Sequence, residues 1–184
     1  EASLKLAKAN FYKKDFDWTL QQVKVLKQSP SLLIANDAVE MFLLIQDNSA
    51  EDSLRVALQS YATADLKLYQ NKKEEALQLF LTILQKHKGE SIEEGTLYKV
   101  GKIHEEKRDF NKALTYYQNI LDNHKDGIYK DEALFYSAEI YRKHLLDNEK
   151  AKALYEKVVL EHPDSLYYTE SRKQYRTLRG DTTI

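Results

Sequence analysis

The feature that most constrains this chain is a step of 37 residues. Ala64, Gly101 and Ala138 lie 37 and again 37 apart, while Ala76, Ala113 and Ala151 lie 37 and 38 apart. Phe80, Tyr117 and Tyr155 keep the second rhythm, and so do Ile83, Ile120 and Val158. Small and large residues recurring in one register describe a supersecondary unit stacked on copies of itself, since such a unit cannot bury its apolar face alone. Within each unit the apolar residues recur at three and four, the period of an amphipathic helix. The stretch Glu94 to Lys125 shows the pattern complete. Gly101 and Ala113 are its small residues, Phe110 sits in the turn between two helices, and Tyr117, Ile120 and Leu121 form the second stripe. The one extra residue of the last unit is placed in His144 to Asn148, read as the turn between its two helices, where insertion costs little.

Only two prolines and five glycines occur in 184 residues. Both types interrupt helices, so their scarcity agrees with an all-α chain. Lys and Arg number 28 against 29 Asp and Glu, which leaves no field of one sign to condense on nucleic acid or an anionic membrane. The absence of cysteine removes disulfides, thiol nucleophiles and thiolate metal sites together. No apolar run reaches the length of a membrane-spanning helix, and the opening EASLKLAKAN has neither the charged nor the apolar part of a signal peptide. The chain does not start with Met and is expected to be a processed form or a piece of something longer.

Taken in order, Leu4 to Tyr12 and Phe16 to Lys27 read as a helical hairpin with Asp15 as N-cap. Ser29 and Pro30 give a start signal for a third helix running to Gln46. That helix is apolar on nearly every face toward its end and is therefore expected to be largely buried. Ser49 with Asp52 resembles a capping box, and a fourth helix is expected from about Ala50 to Tyr69, with Leu54 on its apolar face. Three regular units follow over 61–164. A last amphipathic segment, Ser165 to Leu178, would cap the end of the stack. The expected organisation is a single repeat domain over 1–184: a degenerate hairpin over 1–30, irregular helices over 31–60, the regular units, and a capping helix over 165–179.

The positions that repeat resemble those of the tetratricopeptide repeat, clearly from Tyr61 to Pro163 and loosely from Leu6 to Ser31. One unit fills them with Leu97, Val100, Gly101, His104 where tyrosine is usual, Phe110, Ala113, Tyr117 and Ile120. The next uses Leu134, Ser137, Ala138, Tyr141, Ala151, Tyr155, Val158 and Pro163. The unit before has Ala64, Ala76, Phe80 and Ile83, with Lys67 and Lys73 where aromatic residues are expected. The resemblance implies a right-handed α-solenoid of helical hairpins, about ten helices with the C-terminal cap, that acts as a non-enzymatic protein-interaction scaffold. The ending HPDSLYYTESRKQYRTLRGD is similar to the closing turn of repeat proteins of the Gram-negative cell envelope, which implies a periplasmic or envelope location with the cytoplasm as the alternative.

In such a stack the first helices line the concave surface, and a ligand is read at one position in successive units. That position holds Tyr61, Tyr98 and Phe135. Asp65, Lys102 and Glu139 stand one turn on, followed by Leu68, Glu105 and Arg142. An aromatic column flanked by alternating charges would grip a protein or peptide segment. The competing reading is that the rings stack between repeats and the charges pair with each other, leaving a structural spacer with no ligand. Lys102 and Arg142 alone do not build the carboxylate clamp of some family members.

Nothing points to catalysis or to a cofactor. The five histidines lack metal-ligand spacing, and neither a phosphate loop nor a nucleophile elbow is present. His162-Pro163-Asp164 and Arg179-Gly180-Asp181 spell tripeptides known from co-chaperones and cell adhesion, and in a repeat turn and a chain end coincidence explains them better. The basic run Arg172, Lys173, Arg176 and Arg179 reads as a solvated helix face.

Overall fold

The computed structural model describes residues 1–49, 55–124 and 126–181, and among them the chain is all-α. Its helices are α1 (Ala2–Tyr12), α2 (Phe16–Leu26), α3 (Leu32–Asp47), α4 (Val56–Tyr69), α5 (Lys73–Lys86), α6 (Ile92–Glu106), α7 (Phe110–Asn123), α8 (Lys130–Ile140), α9 (Asn148–Glu161) and α10 (Tyr168–Arg179). A π-helical turn, Tyr141–Leu145, continues α8. Two compact units divide the chain, residues 1–96 and 97–184.

In the first unit α1 packs on α2, α2 on α3, and α4 on α5. Asp15 starts α2 as expected, its carboxylate accepting from the Trp18 N–H at 3.3 Å. Phe11 meets Phe16 across the first hairpin at 5.5 Å between ring centroids. In the second hairpin the repeat residues Ala64, Ala76, Phe80 and Ile83 are all buried. The third helix departs from expectation. It begins at Leu32 rather than Pro30 and buries only Ala38, Met41 and Ile45, while Leu32, Leu33 and Val39 stand exposed. An apolar helix is buried only as far as neighbours cover it, and among the described residues α3 packs mainly on α2, with Lys8 of α1 reaching its Asp37 at 3.3 Å. The fourth helix begins at Val56, and the capping box expected at Asp52 and the stripe residue Leu54 lie outside the described residues.

In the second unit Gly101, Ala113, Tyr117, Ile120, Ala138, Ala151, Tyr155 and Val158 are buried, so the residues that define the period also define the core. Gly101 allows the Tyr117 ring to lie directly on α6: a Cβ there would stand 2.5 Å from Tyr117 Cε1. Helix α10 sits on α9. Ser171 occupies in it the place of Ala133 in α8, both fully buried, but the places of Leu134 and Ala138 hold the exposed Arg172 and Arg176. Where α8 presents an apolar face, α10 presents guanidinium groups.

Each hairpin turns in the same way. The first helix ends on a residue with left-handed backbone: Lys14 (φ 66°), Asn71 (φ 59°), Arg108 (φ 61°) and Leu146 (φ 54°). The next residue's N–H then bonds back to a carbonyl of the last turn, the arrangement that satisfies open carbonyls at a helix end. Asp15 reaches Asn10, Lys72 reaches Lys67 and Asp109 reaches His104, each five residues back, whereas Asp147 reaches Tyr141, six back. That count locates the extra residue. It is taken up within the wide π turn at the end of α8, not in the link between the helices, as single insertions in helices often are.

Leucine is poorly suited to the left-handed conformation because its Cβ crowds the following carbonyl. Leu146 is 75% exposed, so shortening its side chain loses little packing. Leu146→Gly is expected to stabilise the protein by about 0.5–1 kcal/mol after the entropy cost of glycine. A thermal melt should move upward by roughly 1–4 °C, and a downward shift would show that the turn is not strained.

The second helices end alike as well. His87, His124 and His162 follow α5, α7 and α9, and their backbone N–H groups donate to Ile83, Ile120 and Val158 at 2.9, 2.9 and 3.0 Å. They obey the same steps of 37 and 38, so these histidines mark helix ends in the repeat register rather than a metal-ligand spacing.

Candidate functional site

The residues expected to face a ligand are distributed over both units. In the first, Tyr61 is 1% exposed and packs edge-on against Phe80 at 5.3 Å, so its ring belongs to the core of the α4–α5 hairpin. Asp65 accepts from the Tyr12 hydroxyl at 3.0 Å and helps tie α4 to α1.

The second unit brings Tyr98, Lys102, Phe135, Glu139 and Arg142 together on the first helices, α6 and α8. The rings of Tyr98 and Phe135 are half-buried and stack between repeats. Tyr98 lies on Tyr129 at 4.7 Å with 21° between planes, and Phe135 lies on Tyr167 at 4.5 Å with 22°. Tyr129 and Tyr167 each immediately precede the next first helix, so one stack is built twice. Tyr136 fills the space among them, 6.4 Å from Tyr98 and 5.6 Å from Tyr167. Arrangements of this kind contribute about 0.5–1.5 kcal/mol per pair beyond buried area. The recurrence of Tyr129 at Tyr167 is visible in the sequence, but their partners across the repeat are not.

One turn further, each repeat carries an ion pair tied to a buried tyrosine. In α6, Lys102 pairs with Glu105 at 3.0 Å, and Glu105 accepts from the Tyr117 hydroxyl at 2.8 Å. The Lys102 ammonium also lies 3.6 Å from the centroid of the Tyr136 ring. In α8 and the π turn that continues it the signs are exchanged: Arg142 pairs with Glu139 at 3.1 Å. The Tyr155 hydroxyl donates to Glu139 and accepts from Arg142 Nε at 3.1 Å, and Lys143 closes on the same carboxylate. Tyr117 and Tyr155 hold equivalent places, so the hydroxyl meets Glu105 in one repeat and Glu139 in the other although the two acids sit three residues apart in register. Burial, together with the adjacent carboxylate, pushes both phenols upward, and they remain protonated donors. At Glu139 burial acts upward, but the bonds from Lys143, Tyr155 and Arg142 outweigh it and hold the carboxyl below its ordinary value. The resulting ledge is partly exposed and already ordered by its own bonds.

His104, at the family's usual tyrosine position, is 6% exposed and stacks on Tyr116 at 5.5 Å with 9° between planes. Burial depresses its pKa, Asp109 at 3.6 Å opposes that, and Lys112 and Lys107 reinforce it. The folded state therefore prefers the neutral ring, while an unfolded histidine takes up a proton near about 6.5. Stability from this residue is complete above that value and is lost as pH falls through it. The fall in denaturant midpoint between pH 7.5 and pH 5 should be smaller in His104→Phe than in the wild type, and equal slopes would assign the dependence elsewhere.

Among the described residues no cluster of three or more His, Cys, Asp or Glu is placed to hold a metal ion, and no helix is long and apolar enough to cross a membrane. Arg179 and Asp181 of the adhesion-like tripeptide bond each other across Gly180. Residues 96–127 and 132–165 match the tetratricopeptide repeat family. These segments cover the α6–α7 and α8–α9 hairpins apart from the first turn of α6 and the first two residues of α8, and with them the ledge. No curated protein matches the chain significantly.

Proposed function

We propose that a chain whose second unit carries two tetratricopeptide repeats works as a non-enzymatic scaffold, and that a protein or peptide segment docks on the ledge formed by α6 and α8. Tetratricopeptide repeats are generally protein–protein interaction modules and are generally not enzymes, which supports the class of function. The observation that carries the site is the sign-exchanged pair, Lys102 with Glu105 and Glu139 with Arg142, held at matching heights by Tyr117 and Tyr155. A charge pattern ordered before binding loses little side-chain freedom when a partner arrives. Tyr98 and Phe135 support the ledge through their stacks, and their exposed edges contribute area. Tyr61 and Asp65 have their main roles inside the first unit. A periplasmic or envelope location accompanies this reading through the closing turn at His162 to Ser165.

A second reading has its own observation. Every charge on the ledge is matched inside the chain, which is what a spacer with no ligand also requires. Affinity capture with wild type and with Lys102→Ala plus Arg142→Ala separates the two. Both side chains are partly exposed, so melting temperatures should stay within a few degrees of each other. Scaffold binding predicts roughly tenfold weaker recovery of the captured partner by the variant, since charged interface groups contribute on the order of 1–3 kcal/mol. Equal recovery would favour the spacer.

A further inference from the structure

A cleft of about 660 Å³ opens between α7 and α9 over α8. It shares no residue with the ledge, so it is a separate surface within the second unit. Its apolar part is made by the half-buried Leu114, Tyr141 and Leu154. Its α7 wall presents hydrogen-bonding groups from Gln118, Asn119, Asp122 and Asn123. Gln118 donates to Asp122 at 2.8 Å, and Asn123 donates to the Asn119 side-chain oxygen at 2.9 Å. These bonds engage one amide nitrogen each. They leave the Gln118 oxygen, the second Asp122 oxygen, the Asn123 oxygen and the Asn119 amide nitrogen available, so acceptors outnumber donors on a wall whose one formal charge is negative. Opposite stands Lys150, already held by Asp147 at 3.1 Å.

The α7 wall from Thr115 to Asn123 rises roughly 12 Å, the length of about four residues of extended chain. Extended backbone also offers free N–H groups to carboxamide oxygens, which a helix keeps for itself. We propose that this cleft binds an extended peptide segment of a partner protein in which an aliphatic residue adjoins a Lys or Arg. The aliphatic side chain enters among Leu114, Tyr141 and Leu154, the cation meets Asp122, and the backbone pairs with Gln118, Asn119 and Asn123.

The test is a positional-scanning library of acetylated, amidated hexapeptides titrated into the ¹⁵N-labelled chain. Pools with a fixed aliphatic residue beside a fixed Lys or Arg are expected to shift the amides of 114–123 and 150–154 saturably, leaving those of Tyr98 and Lys102 in place. Ala153→Arg, an exposed position on the opposite wall, should weaken the selected peptide at least tenfold with an unchanged melting temperature. Gln118→Ala with Asn123→Ala should weaken it about fivefold. Absence of a saturable response at these amides in every pool overturns the proposal, as does an unaltered affinity in Ala153→Arg. Tighter binding by a stapled, helical form of the selected peptide overturns its extended geometry.

Discussion

Gly101→Ala is expected to lower the melting temperature by roughly 4–8 °C, the reverse of what helix propensity alone predicts. In an exposed helix the exchange would gain about 1 kcal/mol, because alanine is the better helix former. Here the new methyl would stand 2.5 Å from Cε1 and 2.9 Å from Cδ1 of Tyr117, distances at which something must shift. Tyr117 is fully buried between α6 and its neighbours, and its hydroxyl is bonded to Glu105, so the ring cannot withdraw without losing that bond. Overpacking costs about 1–3 kcal/mol, and the weakened hydrogen bond of the displaced hydroxyl about 1 more. Set against the propensity gain, the net loss is about 2 kcal/mol, which for a chain of this size corresponds to the stated shift. Gly101→Ala combined with Tyr117→Leu should recover part of it by opening space. A single variant at or above the wild-type melting temperature would mean that the ring repacks freely.

The same glycine shows how far periodicity reaches. A repeat marks which residues lie at one height in successive units, so Gly101, Ala113, Tyr117 and their counterparts at Ala138, Ala151 and Tyr155 are legible in the sequence as the inner contacts. It does not reveal what stands across from a residue. Tyr98 and Phe135 hold equivalent places, yet the rings on which they stack, Tyr129 and Tyr167, belong to the start of the following unit and are reached only through the fold. Tyr61 shares their register and the same hairpin partner, Phe80 standing where Tyr117 and Tyr155 stand, yet it is fully buried where Tyr98 and Phe135 are half-buried, a difference that the period does not carry.

One expectation fails and another is refined for similar causes. An apolar run such as that of α3 predicts burial only if another element covers it, and coverage is a property of the assembled chain. The inserted residue before α9 is expected in a link because links tolerate insertion, yet the hydrogen bond from Asp147 to Tyr141 shows that a helix end can widen instead. By contrast, the alternation of charge along the ledge is legible, and its pairing is one of the two readings that the sequence allows. The structure adds the tyrosine hydroxyls that lock the pairs.

Glu139→Ala is expected to cost about 2 kcal/mol at pH 7, and the cost should diminish on acidification. The carboxylate is only 12% exposed and collects three partners: the Tyr155 hydroxyl, the Arg142 guanidinium and the Lys143 ammonium. Its removal leaves a buried phenol and a partly buried cation facing each other. Breaking a fully buried pair costs about 3–5 kcal/mol, and solvent access to Arg142 and Lys143 reduces that here. Because the folded state holds this carboxyl below its ordinary value, its contribution is present above the unfolded pKa near about 4.3 and is lost as pH falls through the folded one. Denaturant melts of wild type and variant should therefore differ by the full amount at pH 7 and converge below about pH 4. Glu139→Gln, which keeps an acceptor for Tyr155 but not the charge, should fall between them at pH 7. A difference that persists unchanged at pH 3 would show that Glu139 acts through packing rather than through its charge.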